Sequence, residues 1–458
     1  MTPTRPIVVQ ERQSTTIGPE LASAVSTNFW KAADCKVQRA PGDAAWTVTA
    51  GDSTGVIRSI GRNHDVTLNV TAKLRGADVF FLADYAFGQR HEPLRIFDFD
   101  SPLVDAVRDD PTSCLLMWHA RSISQFASRW LRRDYRRRDQ TFNGKIKGRI
   151  LVDQYVKNYL AVGEPNTVPC RTIERTQDTA NNRILKAGLR YIAALSHLLP
   201  VPAARRAVMQ QVAATLPKFA QVSDINVTRA DIRSMSMRGP QRHYGPILRA
   251  TLELLAHKFL TDHQGDTETQ SFMWQMPTLF QESVRGLISS FPDIALDTAP
   301  PPRATIYDND GVKLRSSIVD PDLVIKSVTS GAHVLLDTKY KQALSLDRGS
   351  SSPSADGEVI DLPNKLKIKV SRADVYQAVA YRKHDRWRGA LSGLLYPVCL
   401  APGQSLPHPL QIRGFGEAIY LAFVDVGPRA SANIGKFHET LRELMTISQQ
   451  TGLDAAHV

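Results

Sequence analysis

Two aspartates and a lysine stand at the polar ends of two short apolar runs in the stretch IVDPDLVIKSVTSGAHVLLDTKYK, residues 318–341. Asp322 precedes the first run, whereas Asp337 ends the second run and Lys339 follows two residues later. Two carboxylates in one site repel each other, and a divalent cation relieves that repulsion. Carboxylate oxygens without a nearby histidine or cysteine favour Mg²⁺ or Mn²⁺ over Zn²⁺. A lysine beside such a cation can orient or deprotonate a water and stabilise charge on a phosphate, which is the chemistry of phosphodiester hydrolysis.

These side chains converge if the stretch forms a β-hairpin. The pattern predicts strands from Leu323 to Val328 and from His333 to Tyr340, joined by a two-residue turn at Ser330-Gly331. In that register Asp322 faces Lys339, and the lysine and both carboxylates project from one side of the hairpin. A slip of one residue would put the two carboxylates on opposite faces. The alternative is a surface hairpin with Asp–Lys pairs, which add little stability.

The elements that must position this hairpin belong to a chain whose pattern changes twice. Residues 46–82 alternate like strands, helical periodicity follows to about residue 265, and mixed patterns begin after residue 271. We therefore predict a mixed α/β, multi-domain protein with a β-rich N-terminal region (1–110), a helical middle domain (111–270) and a C-terminal α/β domain (271–458). Around the hairpin we predict helices at Met276–Ser289 and Ala373–Tyr381, then strands near Leu391–Tyr396 and Ala418–Val426.

Length, charge and cysteine content narrow the class of protein. A chain of 458 residues predicts two or three domains. The formal net charge of +12 favours a polyanionic partner, nucleic acid before membrane. The four cysteines stand far apart, so neither a zinc site nor a disulfide framework is predicted, and a reducing compartment fits. Because the sequence lacks a signal-peptide core and any run long enough to span a membrane, we expect a cytoplasmic protein.

The densest basic stretch is RWLRRDYRRRDQ, residues 129–140, and NGKIKGR follows it. In a helical conformation its arginines form one cationic face suited to phosphates. The candidates for contact with DNA or an acidic partner are Arg132, Arg133, Arg136, Arg137, Lys145 and Lys147. The alternative is a solvated helix end whose arginines complement the helix dipole.

The motifs around the carboxylate pair resemble known nucleases. PDLVI with LLDTKYK resembles the PD-(D/E)xK core, and DVYQAVAY is similar to the QxxxY element of RecB-like nucleases. The order of VTLNVTAKL, FFLADYA, NGKIKGRI, NNRILKAGL, MWQMPTLFQESV, PDLVI, LLDTKYK, DVYQAVAY and GLLYP, over residues 55–400, resembles the McrC family. McrC is the nuclease subunit of McrBC-type modification-dependent restriction systems. By contrast, Pro292-Asp293 has no matching DxK and is interpreted as a chance occurrence.

The resemblance implies a fold and residue roles. Residues 271–458 would form a restriction-endonuclease-like PD-(D/E)xK core. Asp322 and Asp337 would bind the metal and Lys339 would be the catalytic lysine, while Gln377 and Tyr381 would line the site or contact DNA.

One position of the helix before the core departs from the family pattern. The family tends to have an acidic residue where this chain has Gln281. The neighbouring Glu282 is the possible supplementary acid, although helix geometry turns it about 100° away.

The resemblance also implies a machine of two subunits. The chain would be a Mg²⁺-dependent endonuclease, with Mn²⁺ able to substitute, in a McrBC-like type IV restriction system that cuts modified DNA. Its N-terminal region would dock into a McrB-like AAA+ GTPase ring and stimulate it. The sequence has no GxxxxGK[ST] loop, so GTP would bind to the partner. Two alternatives are a stand-alone RecB-like repair nuclease and a non-catalytic scaffold that activates a partner NTPase.

Overall fold

The structure is a computed structural model, and it describes most of the chain. The described residues are 6–39, 45–60, 65–74, 77–87, 106–107, 110–131, 133–228, 239–258, 268–300, 303–307, 313–318, 320–341, 345–346, 358–362, 366–387, 389–400, 403–414 and 418–456. Within these ranges no helix combines the length and the apolar character that a membrane crossing needs.

Strands and helices alternate along the described residues. The strands are β1 Ile7–Gln10, β2 Ser14–Ile17, β3 Cys35–Arg39, β4 Trp46–Ala50, β5 Ser53–Ile60, β6 Asp65–Thr71, β7 Asp134–Asn143, β8 Arg149–Ile150, β9 Thr167–Thr176, β10 Glu268–Gln275, β11 Ile294–Leu296, β12 Arg303–Tyr307, β13 Lys313–Ile318, β14 Leu323–Ser327, β15 His333–Thr338, β16 Ser345–Leu346, β17 Glu358–Leu362, β18 Leu366–Val370, β19 Leu391–Val398, β20 Leu410–Ile412 and β21 Ile419–Asp425. The α-helices are α1 Pro19–Ala24, α2 Thr27–Ala32, α3 Val79–Phe87, α4 Pro111–Trp130, α5 Val152–Tyr155, α6 Ala180–Ser196, α7 Pro202–Thr215, α8 Gly245–Lys258, α9 Met276–Ser289, α10 Arg372–Arg382 and α11 Ala430–Ala456. A π-helical turn spans Val156–Leu160, and 3₁₀ turns span Leu216–Phe219, Gly239–Tyr244 and Asp385–Trp387.

The chain forms two compact units. The first consists of Met1–Trp118, Leu198–Ala207 and His257–Val458, and the second of His119–His197 and Val208–Ala256. The predicted divisions at residues 110 and 270 stay predictions. What the structure corrects is the character of the middle, because the second unit contains an antiparallel sheet of order β7-β9-β8 beside its helices. The middle of the chain is therefore mixed, and not helical throughout.

The basic stretch 129–140 is not one helix, so its predicted helical face is wrong. Helix α4 ends at Trp130, and β7 then pairs with β9 along its whole length, from Asp134–Thr176 to Asn143–Thr167. Arginines spaced three and four apart would repel one another on a helix. In the sheet, charges of opposite sign face each other instead. Arg171 Nε donates to Asp139 Oδ1 at 2.7 Å, at directly opposed positions.

The predicted hairpin lies in a six-stranded sheet of order β11-β14-β15-β19-β21-β20 in the first unit. Strands β15, β19 and β21 run parallel, while β14 is antiparallel to β15. Every residue of β19, LSGLLYPV, is buried, as expected of a central parallel strand. Helix α10 makes the connection from β15 to β19 and packs on both, and α11 also packs on these strands. Asp337 therefore lies within a strand of a well-buried sheet, and Asp322 directly precedes the neighbouring strand.

The hairpin exists, but its predicted register is wrong by two residues. Leu323 faces Leu336, and Lys326 faces His333. The physical reason is a longer connection, residues 328–332, in which Gly331 takes a left-handed conformation with φ of 71°. Because the error is an even number of residues, side chains keep their faces. Continued by one step, the ladder sets Asp322 opposite Asp337 and not opposite Lys339.

Two helices of the first unit approach each other closely where α9 crosses α3. Helix α9 has the predicted bounds, Met276–Ser289, and a proline in its first turn. Its buried stripe follows the helical period. A Cβ atom at Gly286 would overlap the carbonyl oxygen of Tyr85 in α3, so the glycine permits this packing. The position of α9 matters because Gln281 and Arg285, near the middle of this helix, reach the hairpin.

The N-terminal strands share a sheet with a strand from far along the chain. The order is β1-β6-β5-β10, and β10 pairs with β5 antiparallel over eight residues, from Glu268–Ile60 to Gln275–Ser53.

Glu11, which follows β1, is only 1% exposed, and its Oε2 accepts a 2.8 Å hydrogen bond from the Lys73 backbone N–H. Burial raises the pKa of Glu11 to about 7. The Lys73 ammonium lies 4.9 Å from the centre of the Tyr340 ring, just beyond the hairpin.

Candidate active site

Asp322 is held in place by donors from two elements. Its Oδ2 accepts hydrogen bonds from the Thr338 backbone N–H at 2.8 Å and from the Thr338 hydroxyl at 2.6 Å. Its Oδ1 accepts a 3.3 Å bond from Gln281 Nε2 of α9. Three donors on one carboxylate fix its orientation. Thr338 was not recognised in the sequence, because nothing in the DTK triplet distinguishes its threonine from an ordinary strand residue.

Asp337 is almost completely buried at the end of β15. Its side chain is 2% exposed, and it contacts the Lys339 ammonium through Oδ2. Its Oδ1 accepts hydrogen bonds from the Tyr381 hydroxyl at 3.1 Å and from Gln377 Nε2 at 3.4 Å. Burial raises the pKa of Asp337, and the nearby Asp322 raises it further, whereas Lys339 and Tyr381 oppose this shift. A second positive charge beside Lys339 would stabilise the ionised form of this buried carboxylate.

Lys339 belongs to the same group, although it lies beyond β15. Its backbone N–H donates to the Leu395 carbonyl at 2.9 Å, which continues the contact with β19. Its ammonium donates to Gln377 Oε1 at 2.9 Å, in addition to the contact with Asp337. Burial raises the pKa of the Tyr381 hydroxyl, so it stays a proton donor. The structure therefore brings the five predicted residues of the core and of α10 together: Asp322, Asp337, Lys339, Gln377 and Tyr381.

Helix α9 presents an amide to the carboxylate pair. Gln281 makes the bond to Asp322, whereas Glu282 is 49% exposed and forms a 3.7 Å ion pair with Arg285. Arg285 in turn donates to the Asp322 backbone carbonyl at 2.6 Å. Glu282, the predicted supplementary acid, therefore pairs with Arg285. Arg285 was not predicted, and its spacing of four from Gln281, one helical turn, is the signal that was available.

A further carboxylate, also not predicted, adjoins Lys339. Asp374 lies in the first turn of α10 with its side chain 9% exposed, and its Oδ1 is 3.6 Å from the Lys339 ammonium. Its Oδ2 contacts the Lys341 ammonium at 2.6 Å. Asp374 precedes Gln377 by three residues and Tyr381 by seven, so all three share one helix face. That spacing was visible in the sequence.

The six basic candidates fall within the residue range 119–197 of the second unit. Four of them are exposed: Arg133, Arg137, Lys145 and Lys147. Arg132 lies outside the described residues. Arg136 lies in β7 opposite Glu174, and its side chain is also outside the description.

The Pro-Asp dipeptide that was interpreted as a chance occurrence has a structural role. Asp293 is 2.6 Å from His438 Nε2, and it accepts a 2.7 Å bond from Arg442 Nε. Both partners belong to α11, so Asp293 ties this helix to the core.

The donor set at the carboxylate pair fits a magnesium ion. Mg²⁺ keeps several waters and is usually bound by one or two carboxylates together with substrate phosphates. Asp322 and Asp337 supply two such carboxylates. Among the described residues there is no group of three or more His, Cys, Asp or Glu side chains that could hold a metal. A site that binds its metal through protein side chains alone is therefore not observed in this part of the chain.

Comparison with known proteins identifies the family of this chain. The family described as McrBC 5-methylcytosine restriction system component matches residues 53–397. The chain belongs to the McrBC family. This confirms the resemblance predicted from the order of the motifs. No curated protein sequence matches the chain.

A solved structure of a McrBC assembly shares the fold. One is a chain of the refined half-complex from the tetradecameric assembly of Thermococcus gammatolerans McrB AAA+ hexamers with bound McrC. It is 15% identical, with a TM-score of 0.55, and the match covers 96% of this chain and 100% of that chain. A chain of the Thermococcus gammatolerans McrBC complex matches with a TM-score of 0.40 at 15% identity, over 62% of this chain and 87% of that chain. The first match supports the mixed α/β architecture over nearly the whole length.

Proposed function

We propose that this McrBC-family protein is the Mg²⁺-dependent endonuclease subunit of a modification-dependent restriction system, acting on DNA in the cytoplasm. The six-stranded sheet and α10 would form a restriction-endonuclease-like PD-(D/E)xK core. One observation carries the proposal: Asp337 and Lys339 are in contact inside a buried site, and Asp322 adjoins them. A surface hairpin would leave these side chains in solvent, so that alternative does not fit their burial.

The residues divide the chemistry among them. Asp322 and Asp337 would hold the cation, which would polarise the phosphodiester and supply an activated water. Thr338 and Gln281 orient Asp322, while Tyr381 orients Asp337. The Lys339 ammonium would place the attacking water and stabilise charge on the phosphate oxygens. Gln377 accepts from this ammonium, so it keeps the side chain directed into the site.

We further propose that the AAA+ partner docks on the second unit. In the described part of the chain, large exposed apolar side chains concentrate between residues 130 and 173: Trp130, Tyr135, Ile146, Val152, Val156, Leu160, Val162 and Ile173. Apolar side chains gathered on a surface mark sites of interaction. The N-terminal region, where docking was predicted, exposes Val8 alone among its described large apolar residues. The Thermococcus gammatolerans assembly, in which McrC is bound to McrB AAA+ hexamers, motivates the choice of partner.

Plasmid cleavage tests the endonuclease. Wild type and Asp337→Asn would be incubated with Mg²⁺, with and without a McrB-like AAA+ partner and GTP, on modified and unmodified DNA. The matched control is Asp293→Asn, because Asp293 also follows a proline but pairs with α11. We expect cleavage that needs the partner, is lost in Asp337→Asn and persists in Asp293→Asn. Equal cleavage by Asp337→Asn would refute the site.

The same assay separates the alternatives. Cleavage without the partner would favour a stand-alone RecB-like nuclease. Absence of cleavage on every DNA, with GTP hydrolysis by the partner stimulated equally by wild type and Asp337→Asn, would favour a scaffold.

A binding assay tests the docking surface. Ile173→Asp should weaken binding to the partner at least tenfold, because it puts a charge into the apolar surface. Val201→Asp, at an exposed valine of the first unit, is the control. Both variants would be compared with wild type by fluorescence anisotropy.

A further inference from the structure

Asp374 bridges two lysines at the edge of the proposed site. One carboxylate oxygen is 3.6 Å from the Lys339 ammonium, and the other is 2.6 Å from the Lys341 ammonium. The two lysines differ in setting, because Lys339 is 16% exposed and Lys341 is 46% exposed. Asp374 therefore connects a lysine inside the site to one at its rim.

The Lys339 ammonium has three N–H donors and three oxygen neighbours. These are Asp337 Oδ2, Gln377 Oε1 and Asp374 Oδ1. A cation on Asp337 would take up its negative charge and repel the ammonium. Among the three described neighbours of the Lys339 ammonium, Asp374 is then the one whose negative charge is not shared with the cation. In a site this little exposed, such an interaction is screened far less than at the surface.

We propose that Asp374 is a positioning residue that holds the Lys339 ammonium in place when the cation occupies Asp322 and Asp337. The inference rests on the proposed function, and it adds a residue that contacts neither the cation nor the phosphate. Without the Asp374 charge, Lys339 turns fully to Asp337 and competes with the cation. Both cleavage and cation binding then weaken.

Position must be separated from net charge. The three carboxylates and two lysines of this group sum to a charge of −1, and Asp374→Asn raises it to zero while keeping the shape of the side chain. The double variant Asp374→Asn/Lys341→Gln restores −1 but not the charged acceptor for Lys339. If Asp374 acts by position, the double variant stays impaired. If it acts through net charge alone, the double variant recovers.

Two measurements on the full chain decide between these outcomes. In the complex with partner, GTP and Mg²⁺, Asp374→Asn should lower kcat about 10- to 100-fold with KM for DNA within about twofold of wild type. By titration calorimetry without DNA, Mg²⁺ affinity should fall several-fold. The double variant should match Asp374→Asn in both measurements. Asp374→Glu, which keeps a charged acceptor, should recover most of kcat. Asp293→Asn, with a carboxylate lost elsewhere in the core, should match wild type.

The outcomes are distinguishable. Recovery in the double variant, or wild-type values in Asp374→Asn, overturns the inference and leaves the proposed function standing. If Asp374→Asn does not fold, as judged by circular dichroism, Asp374→Glu decides, because a folded Glu variant with kcat as low as that of Lys339→Met also overturns it. A wild-type chain that neither binds Mg²⁺ nor cuts DNA overturns the proposed function, and the inference fails with it.

Discussion

Replacing Glu11 by glutamine should change how the stability of the protein depends on pH. Glu11 is buried beside β1, with one hydrogen bond from the Lys73 backbone. Burial raises its pKa from 4.5 to about 7, and the positive charge of Lys73 offsets this only in part. Glutamine has nearly the same shape, and its amide oxygen can accept the same bond. The substitution therefore removes the titration with little change in packing.

The sign follows from where the proton is bound. Below the unfolded pKa of 4.5 both states hold the proton, so Glu11 gives no pH dependence there. Between 4.5 and about 7 the unfolded chain ionises while the folded chain stays protonated, so stability falls as pH rises. Above about 7 the loss is complete. At about 1.4 kcal/mol per pKa unit, the loss between about pH 5 and about pH 8 is roughly 2 to 3 kcal/mol.

Denaturant unfolding at these two pH values measures the effect. Relative to wild type, Glu11→Gln should gain about 2 to 3 kcal/mol of unfolding free energy on going from about pH 5 to about pH 8. Glu20→Gln, at an exposed position of α1, is the control and should show no such gain, because solvent surrounds this side chain in both states. If the two substitutions give the same pH profile, the burial argument for Glu11 is wrong.

Two further predictions concern helix packing and the binding of Mg²⁺ by Asp322. Gly286→Ala should destabilise the protein by about 1 to 3 kcal/mol in denaturant unfolding, because its methyl group meets the Tyr85 carbonyl. Gly435→Ala in α11, with open space around the new methyl, should instead be neutral or slightly stabilising, and equal losses in both would contradict the packing argument. Thr338→Val should weaken Mg²⁺ binding about 10- to 100-fold by calorimetry, because the hydroxyl that orients Asp322 is lost; unchanged affinity would show that the backbone N–H suffices.

The sequence predicted the hairpin region well because its signals are local. Helix α9 begins and ends where its periodicity and its proline indicate. The hairpin register was wrong, since the length of a connection containing Ser and Gly is not encoded in the strands. The faces were still correct, because a shift of two residues preserves alternation. Asp374 was missed although its spacing from Gln377 and Tyr381 was visible. Its partner Lys339 is 35 residues away, so the ion pair itself becomes evident only in the fold.

The basic stretch shows where pattern analysis fails. Residues 129–140 contain few apolar side chains, so neither the helical nor the strand period is defined. The strand β7 is specified by its partner β9, in which Val168, Cys170 and Thr172 alternate toward the interior. A strand that depends on tertiary pairing in this way carries little signal of its own.

The pairing of β5 with β10 has a consequence for how the protein is made. The two strands are separated by more than two hundred residues, so β5 leaves the ribosome long before its neighbour is synthesised. Closing such a long loop is entropically costly and slow compared with forming local contacts. Until residue 275 has emerged, one edge of β5 lacks its partner and can pair with other chains. For the same reason, an N-terminal fragment that ends before β10 cannot complete this sheet, and it leaves one edge of β5 without its partner strand.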